Sequence, residues 1–79
     1  MKATFKKDRE FSNGIITLEA KQGNQKDIQH MGRVIAHLVE QEGYEEIYGE
    51  EDYLVTLGIS ADNTREAKEA YAAAKKATR

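Results

Sequence analysis

The chain has 79 residues, with no cysteine, proline or tryptophan, a formal net charge of −2 and 33% charged residues. That length supports one hydrophobic core, and hence one domain over residues 1–79. It argues against a deep active-site cleft, because a chain of this size buries only roughly 60–65% of its unfolded surface. Ten of the 31 apolar residues are alanine, so few large side chains hold the domain together, and neither a disulfide framework nor a strong bulk charge is present to help it or to recruit nucleic acid.

The first local signal is Ser12-Asn13-Gly14 between two strand-like runs, residues 3–11 and 15–21. Asn-Gly is the preferred two-residue hairpin turn because both positions tolerate positive φ. With Asn13-Gly14 as the loop, Phe11 faces Ile16 and Arg9 faces Leu18, which places Phe5, Phe11, Ile16, Leu18 and Ala20 on one core-facing side. The same register sets Asp8 opposite Glu19 and Lys6 opposite Lys21, so a three-residue loop with Gly14 in a bulge is the alternative.

Gly23-Asn24 then breaks the strand, and Ile28, Met31, Val34, Ile35 and Leu38 recur at helical spacing up to Gly43, predicting a helix over 24–42 with Asn24 as its cap. Gly32, Ala36 and Val39 widen its apolar stripe, so it is expected to touch both a sheet and a second helix or subunit. Residues 44–48 are expected to form a polar edge strand, residues 49–52 a turn, and the apolar run 53–59 a central strand. Asn63-Thr-Arg-Glu66 has the form of a capping box, and Ala67, Ala70, Tyr71, Ala74 and Ala77 share one face of a closing helix. Acidic residues near its start and Lys75, Lys76 and Arg79 at its end suit the helix dipole.

The order is ββαββα, an α+β fold. From Ile15 onward the succession β-α-β-β-α resembles most of a ferredoxin-like split βαβ unit, with the N-terminal strand in place of that fold's last strand. The resemblance implies a four-stranded antiparallel sheet in the order 3–11, 15–21, 53–59, 44–48, with two helices on one face. The charged strands then lie at the edges, where charge discourages unwanted pairing.

Catalytic and metal constellations are absent from the sequence pattern. His30 and His37 are seven residues apart, about 10 Å along a helix axis, too far to share one ion within a chain. Ser12 and Ser60 lie in no nucleophile motif, no glycine-rich phosphate loop is present, and residues 49–52 lack the spaced oxygen ligands of a calcium loop. No enzymatic activity, cofactor or metal is expected. Nucleic acid is not favoured either: the central strands would present Ile15, Thr17, Glu19, Leu54, Thr56 and Gly58 on the open face, without the aromatics on which RNA-binding sheets stack bases. Asp8 and Glu10 interrupt the basic edge of Lys2, Lys6, Lys7 and Arg9, which leaves nucleic-acid binding there as the third-ranked function.

The feature that folding explains least is the stretch 40–53, whose net charge is −7 against +3 for residues 1–39 and +2 for 54–79. Tyr44, Glu45, Glu46, Tyr48, Glu50, Glu51, Asp52 and Tyr53 form the candidate partner-binding set, since tyrosine supplies rigid amphipathic area and clustered carboxylates steer a basic partner. A solvated edge strand and turn is the bland alternative. The leading expectation is a non-enzymatic protein-binding module that occupies a basic surface, in the manner of small stoichiometric inhibitors carried by phages and mobile elements. A small ligand-binding or regulatory homodimer, joined through the open sheet face, is the expectation from a different class. With no signal-peptide or membrane-spanning run, the expected location is the cytoplasm, away from membranes.

Overall fold

The computed structural model describes residues 1–7, 14–61 and 63–79, with Glu50 described through its backbone. Its elements are β1 (Lys2–Lys6), β2 (Ile15–Glu19), α1 (Gln25–Glu42), β3 (Glu45–Glu51), β4 (Leu54–Gly58) and α2 (Thr64–Ala77). The strands form a four-stranded antiparallel sheet in the order β1-β2-β4-β3, the expected α+β arrangement and one compatible with the ferredoxin-like pattern. No helix among the described residues is long and apolar enough to cross a membrane.

Both helices begin where the sequence carries asparagine caps. The Asn24 side chain accepts from the Asp27 amide at 3.1 Å and the Asn63 side chain from the Glu66 amide at 2.9 Å, each satisfying an otherwise orphaned donor of the first turn. Helix α1 closes at Gly43, whose φ of 71° is left-handed and costs glycine nothing. The Tyr44 amide then reaches back to the Leu38 carbonyl at 3.1 Å, and the Ser60 hydroxyl donates to the Gly43 carbonyl at 2.6 Å, so Ser60 serves as a tie between the end of β4 and the end of α1.

The core lies between one sheet face and the helices. Ile16, Leu18 and Ala20 of the β2 segment, Val55, Leu57 and Ile59 of the β4 segment, Met31, Val34 and Leu38 of α1, and Ala67 and Ala74 of α2 are buried together. Alternation along the strands and the helical period explain this set. Phe5 packs at its margin, edge-on to Tyr71 at 6.4 Å between centroids. Two parts of the expected helix faces stay outside: Gly32, Ala36 and Val39 of α1 are exposed, and so is Ala77 of α2. Helix α1 turns one face to the core and meets the second helix along its flank, where Ala36 lines a shallow groove with Ala77 and Thr78.

The hairpin register differs from the expected one. Ile16 pairs with Phe5 and Leu18 with Ala3, instead of with Phe11 and Arg9, and Lys6 stands opposite Ile15 rather than Lys21. The displacement is an even number of residues, so the same faces stay inward, and the pairing Lys2 with Glu19 replaces two like-charge pairs with an attractive one. Gly14 has φ of 92°, while Phe11, Ser12 and Asn13, with the turn expected there, lie outside the described residues.

The second hairpin also differs. Strand β3 runs through Gly49 and on to Glu51, the turn falls at Asp52 and Tyr53, and β4 begins at Leu54. Glu45 pairs with Gly58, Tyr48 with Thr56 and Glu51 with Leu54, with register shifts between them. Two irregularities let seven residues match five, which is how an edge strand absorbs a glycine and a run of carboxylates without a turn.

The N-terminal strand is anchored to α1. The Met1 ammonium lies 3.0 Å from Asp27 Oδ2, and the same oxygen accepts from the Lys21 amide at 2.7 Å. The Lys21 hydrogen bond, then the ammonium, hold the Asp27 carboxyl below its ordinary value of 3.8. A carboxylate that stays ionised to lower pH in the folded state stabilises fully above its unfolded pKa and loses that contribution as pH falls through the folded one. Asp27→Asn is expected to cost about 1–2 kcal/mol near pH 7. In urea titrations its gap to the wild type shrinks as pH falls through and below the ordinary carboxylate range; a gap of equal size at every pH would show that the effect is not electrostatic.

Candidate functional site

Strand pairing determines which side chains share the uncovered face of the sheet. Residues directly opposite one another project to the same side, so the register defines three rows running from β1 to β3. One row is Lys6, Ile15, Gly58 and Glu45; the middle row is Thr4, Thr17, Thr56 and Tyr48; the third is Lys2, Glu19, Leu54 and Glu51. The Thr17 and Thr56 hydroxyls are hydrogen-bonded at 3.2 Å, which satisfies the polar atoms at the centre of the face with each other. Around them Ile15 is half-buried, Leu54 is 37% exposed and Tyr48 is 64% exposed. Tyr48, Glu51, Leu54 and Thr56 line a shallow depression of about 290 Å³.

Two lysines therefore stand on the β1 side of this face and two glutamates on the β3 side, with a threonine and aliphatic centre between them. Glu19 interrupts the middle, opposite Lys2. The face is electrically polar across the strands, and that polarity is an arrangement of the whole sheet rather than of any one segment.

The residues expected to bind a partner divide into three groups. Glu45, Glu46, Tyr48, Glu51 and Asp52 are exposed along β3 and its turn, as expected, and Glu50 lies in the β3 backbone. Tyr53 sits half-buried in the turn against the core, and its carbonyl accepts from the Ala20 amide at 2.8 Å. Tyr44 is not a surface residue: it is 3% exposed and belongs to the core. Its hydroxyl is buried with no hydrogen-bond partner among the described residues, and burial, then the nearby Glu42 and Glu66 carboxylates, push the phenol above its ordinary value. A tyrosine directly after the Gly43 helix stop is carried inward because the chain there turns back to start β3.

The sequence also left unseen that Glu45, Tyr48 and Glu51 share a face with Leu54 and Thr56. Strict alternation would split Glu45 and Tyr48 between two faces. The signal available was Gly49, a glycine inside a strand-like run, which marks an irregularity.

His30 joins the two helices. His30 Nε2 lies 3.2 Å from both the Lys75 carbonyl and Thr78 Oγ1, and Arg33 Nε donates to the Thr78 carbonyl at 3.0 Å, so α1 caps the C-terminal end of α2. His37 is half-buried on α1. Among the described residues no group of three or more His, Cys, Asp or Glu is placed to hold a metal ion. No protein-family model matches the chain, and no curated protein or solved structure matches it either.

Proposed function

We propose that this chain is a non-enzymatic protein-binding module, whose β3 edge and adjoining sheet face occupy a basic surface on a partner. The observation that supports it is Tyr48, 64% exposed, standing on the open face between Glu45 and Glu51 and beside the exposed Leu54. An amphipathic aromatic with an aliphatic neighbour supplies the contact area, and the carboxylates around it select for positive charge and speed encounter. Occupying a basic surface excludes whatever else binds there, which is how a small module of this kind acts as an inhibitor.

Affinity capture with the wild-type chain, followed by titration of the purified partner, tests this. Tyr48→Ala is expected to weaken binding by about 30-fold, as loss of a central aromatic anchor does. The triple change Glu45→Gln, Glu46→Gln and Glu51→Gln is expected to slow association and flatten its salt dependence. Equal affinity and salt dependence in all three proteins would sink the proposal.

A further inference from the structure

The open face carries its two charge signs on opposite edges, and this makes it complementary to itself. Lys2 and Lys6 project from the β1 edge, and Glu51 and Glu45 project from the β3 edge in the same two rows. All four side chains are exposed. Two copies can meet face to face about a two-fold axis in only two aligned ways. With the axis across the strands, β1 lies over β1 and β3 over β3, which sets lysine on lysine and glutamate on glutamate. With the axis along the strands, each row keeps its level and reverses its order, so β1 lies over the partner's β3 and β2 over its β4.

We propose that the chain forms a homodimer in this second arrangement, Lys2 and Lys6 of one copy meeting Glu51 and Glu45 of the other. The proposal rests on the open face being a contact surface, as argued above, and commits that face in the free protein to a second copy, which a basic partner displaces. The shapes agree with the charges. In the reversed rows Ile15 lies over Gly58 and Tyr48 over Thr4, a large side chain over a small one in both cases, as interdigitating sheets favour, and Thr17 lies over Thr56. Glu19 meets Leu54 and keeps Lys2 of its own sheet as its cross-strand neighbour. The offset of about 30° between aligned packed sheets shifts the corner residues by about 5 Å, within reach of a lysine chain.

The plate is small. Four strands about 4.8 Å apart and five residues long measure roughly 19 by 17 Å, about 650 Å² for the pair and below the roughly 1,200 Å² of a stable interface, so association is expected to be weak, changing with concentration between about 10 μM and 1 mM. The interface is isologous, and the same patch serves both copies.

Charge exchange tests the geometry. Sedimentation equilibrium of the wild type is expected to show dimer growing with concentration and declining with added salt. Variant one, Lys2→Glu with Lys6→Glu, has two acidic edges; variant two, Glu45→Lys with Glu51→Lys, has two basic edges. Each alone is expected to be monomeric with a wild-type circular dichroism spectrum, because like charges face one another. Mixed in equal amounts, the two are expected to form a heterodimer at least as tight as the wild-type homodimer, since every charged corner is then complementary. A wild type that stays monomeric at 1 mM, a dimer that both variants retain, or a mixture that does not associate would each overturn the proposal. A monomeric wild type whose capture of a basic partner still depends on Tyr48 would overturn the self-pairing alone, and a dimer that captures nothing would overturn only the function proposed above.

Discussion

Tyr44→Ala is expected to lower the stability of the domain by about 3–5 kcal/mol, the cost of deleting a large aromatic side chain from a core. The whole folding free energy of a chain this size is roughly 4–12 kcal/mol, so the variant should be largely or partly unfolded at room temperature. Tyr44→Phe should do the opposite: it keeps the ring and removes a hydroxyl that is buried without a partner among the described residues, for a gain of about 1 kcal/mol. Tyr48→Ala, on the exposed edge of the same strand region, should stay within about 0.5 kcal/mol of the wild type. Urea unfolding followed by circular dichroism ranks the three. If Tyr44→Ala were as stable as Tyr48→Ala, Tyr44 would belong to the surface after all, and the core described here would be wrong at its largest aromatic.

Gly14→Ala is the second substitution with a large expected effect, about 2–4 kcal/mol. Its backbone has φ of 92°, and a β-carbon there would strike the Lys6 carbonyl oxygen, which belongs to backbone and cannot rotate away. The same residue's carbonyl accepts from the Ile59 amide at 3.0 Å, so a shift at Gly14 also disturbs the far end of β4. Gly23→Ala is the control. Gly23 has φ of 81° but nothing within 4 Å of a β-carbon, so it should cost only the conformational strain, about 1–2 kcal/mol. The difference between the two in thermal unfolding measures the steric part; equal losses would mean that the close approach of Lys6 to Gly14 is not present in solution.

These two residues also show where a sequence stops being informative. Asn24 and Asn63 were legible as caps because a cap is a contact within three residues, and Ile16, Leu18, Val55 and Leu57 were legible as core because alternation is local. Tyr44 was not: its neighbours Glu42, Glu45 and Glu46 are acidic, and local composition places it on a charged surface, whereas the turn after Gly43 carries it under the sheet. The hairpin register differs from the expected one by an even number of residues, because a turn signal is local whereas register is a relation between whole strands, here with Lys2 opposite Glu19 and Phe5 edge-on to Tyr71.

The surface proposed as functional divides in the same way. Its ingredients were visible as an acidic, tyrosine-bearing stretch and a basic N-terminal run, but their relation was not. Whether Glu45, Tyr48 and Glu51 point to the same side as Leu54 depends on two irregularities in β3, and these depend on pairing with β4.

By itself, then, the sequence determined the fold class of the protein: α+β, its six elements in order, its caps, most of its core and a strand succession compatible with the ferredoxin-like pattern. Those properties follow from periodicity, turn chemistry and capping, which act between residues close along the chain. Only the tertiary structure decided the strand registers, the burial of Tyr44 and the opposition of Lys2 and Lys6 to Glu45 and Glu51 across one open face. Each of these is a relation between strands distant in sequence, selected by packing and charge over the whole sheet, and no local pattern encodes it.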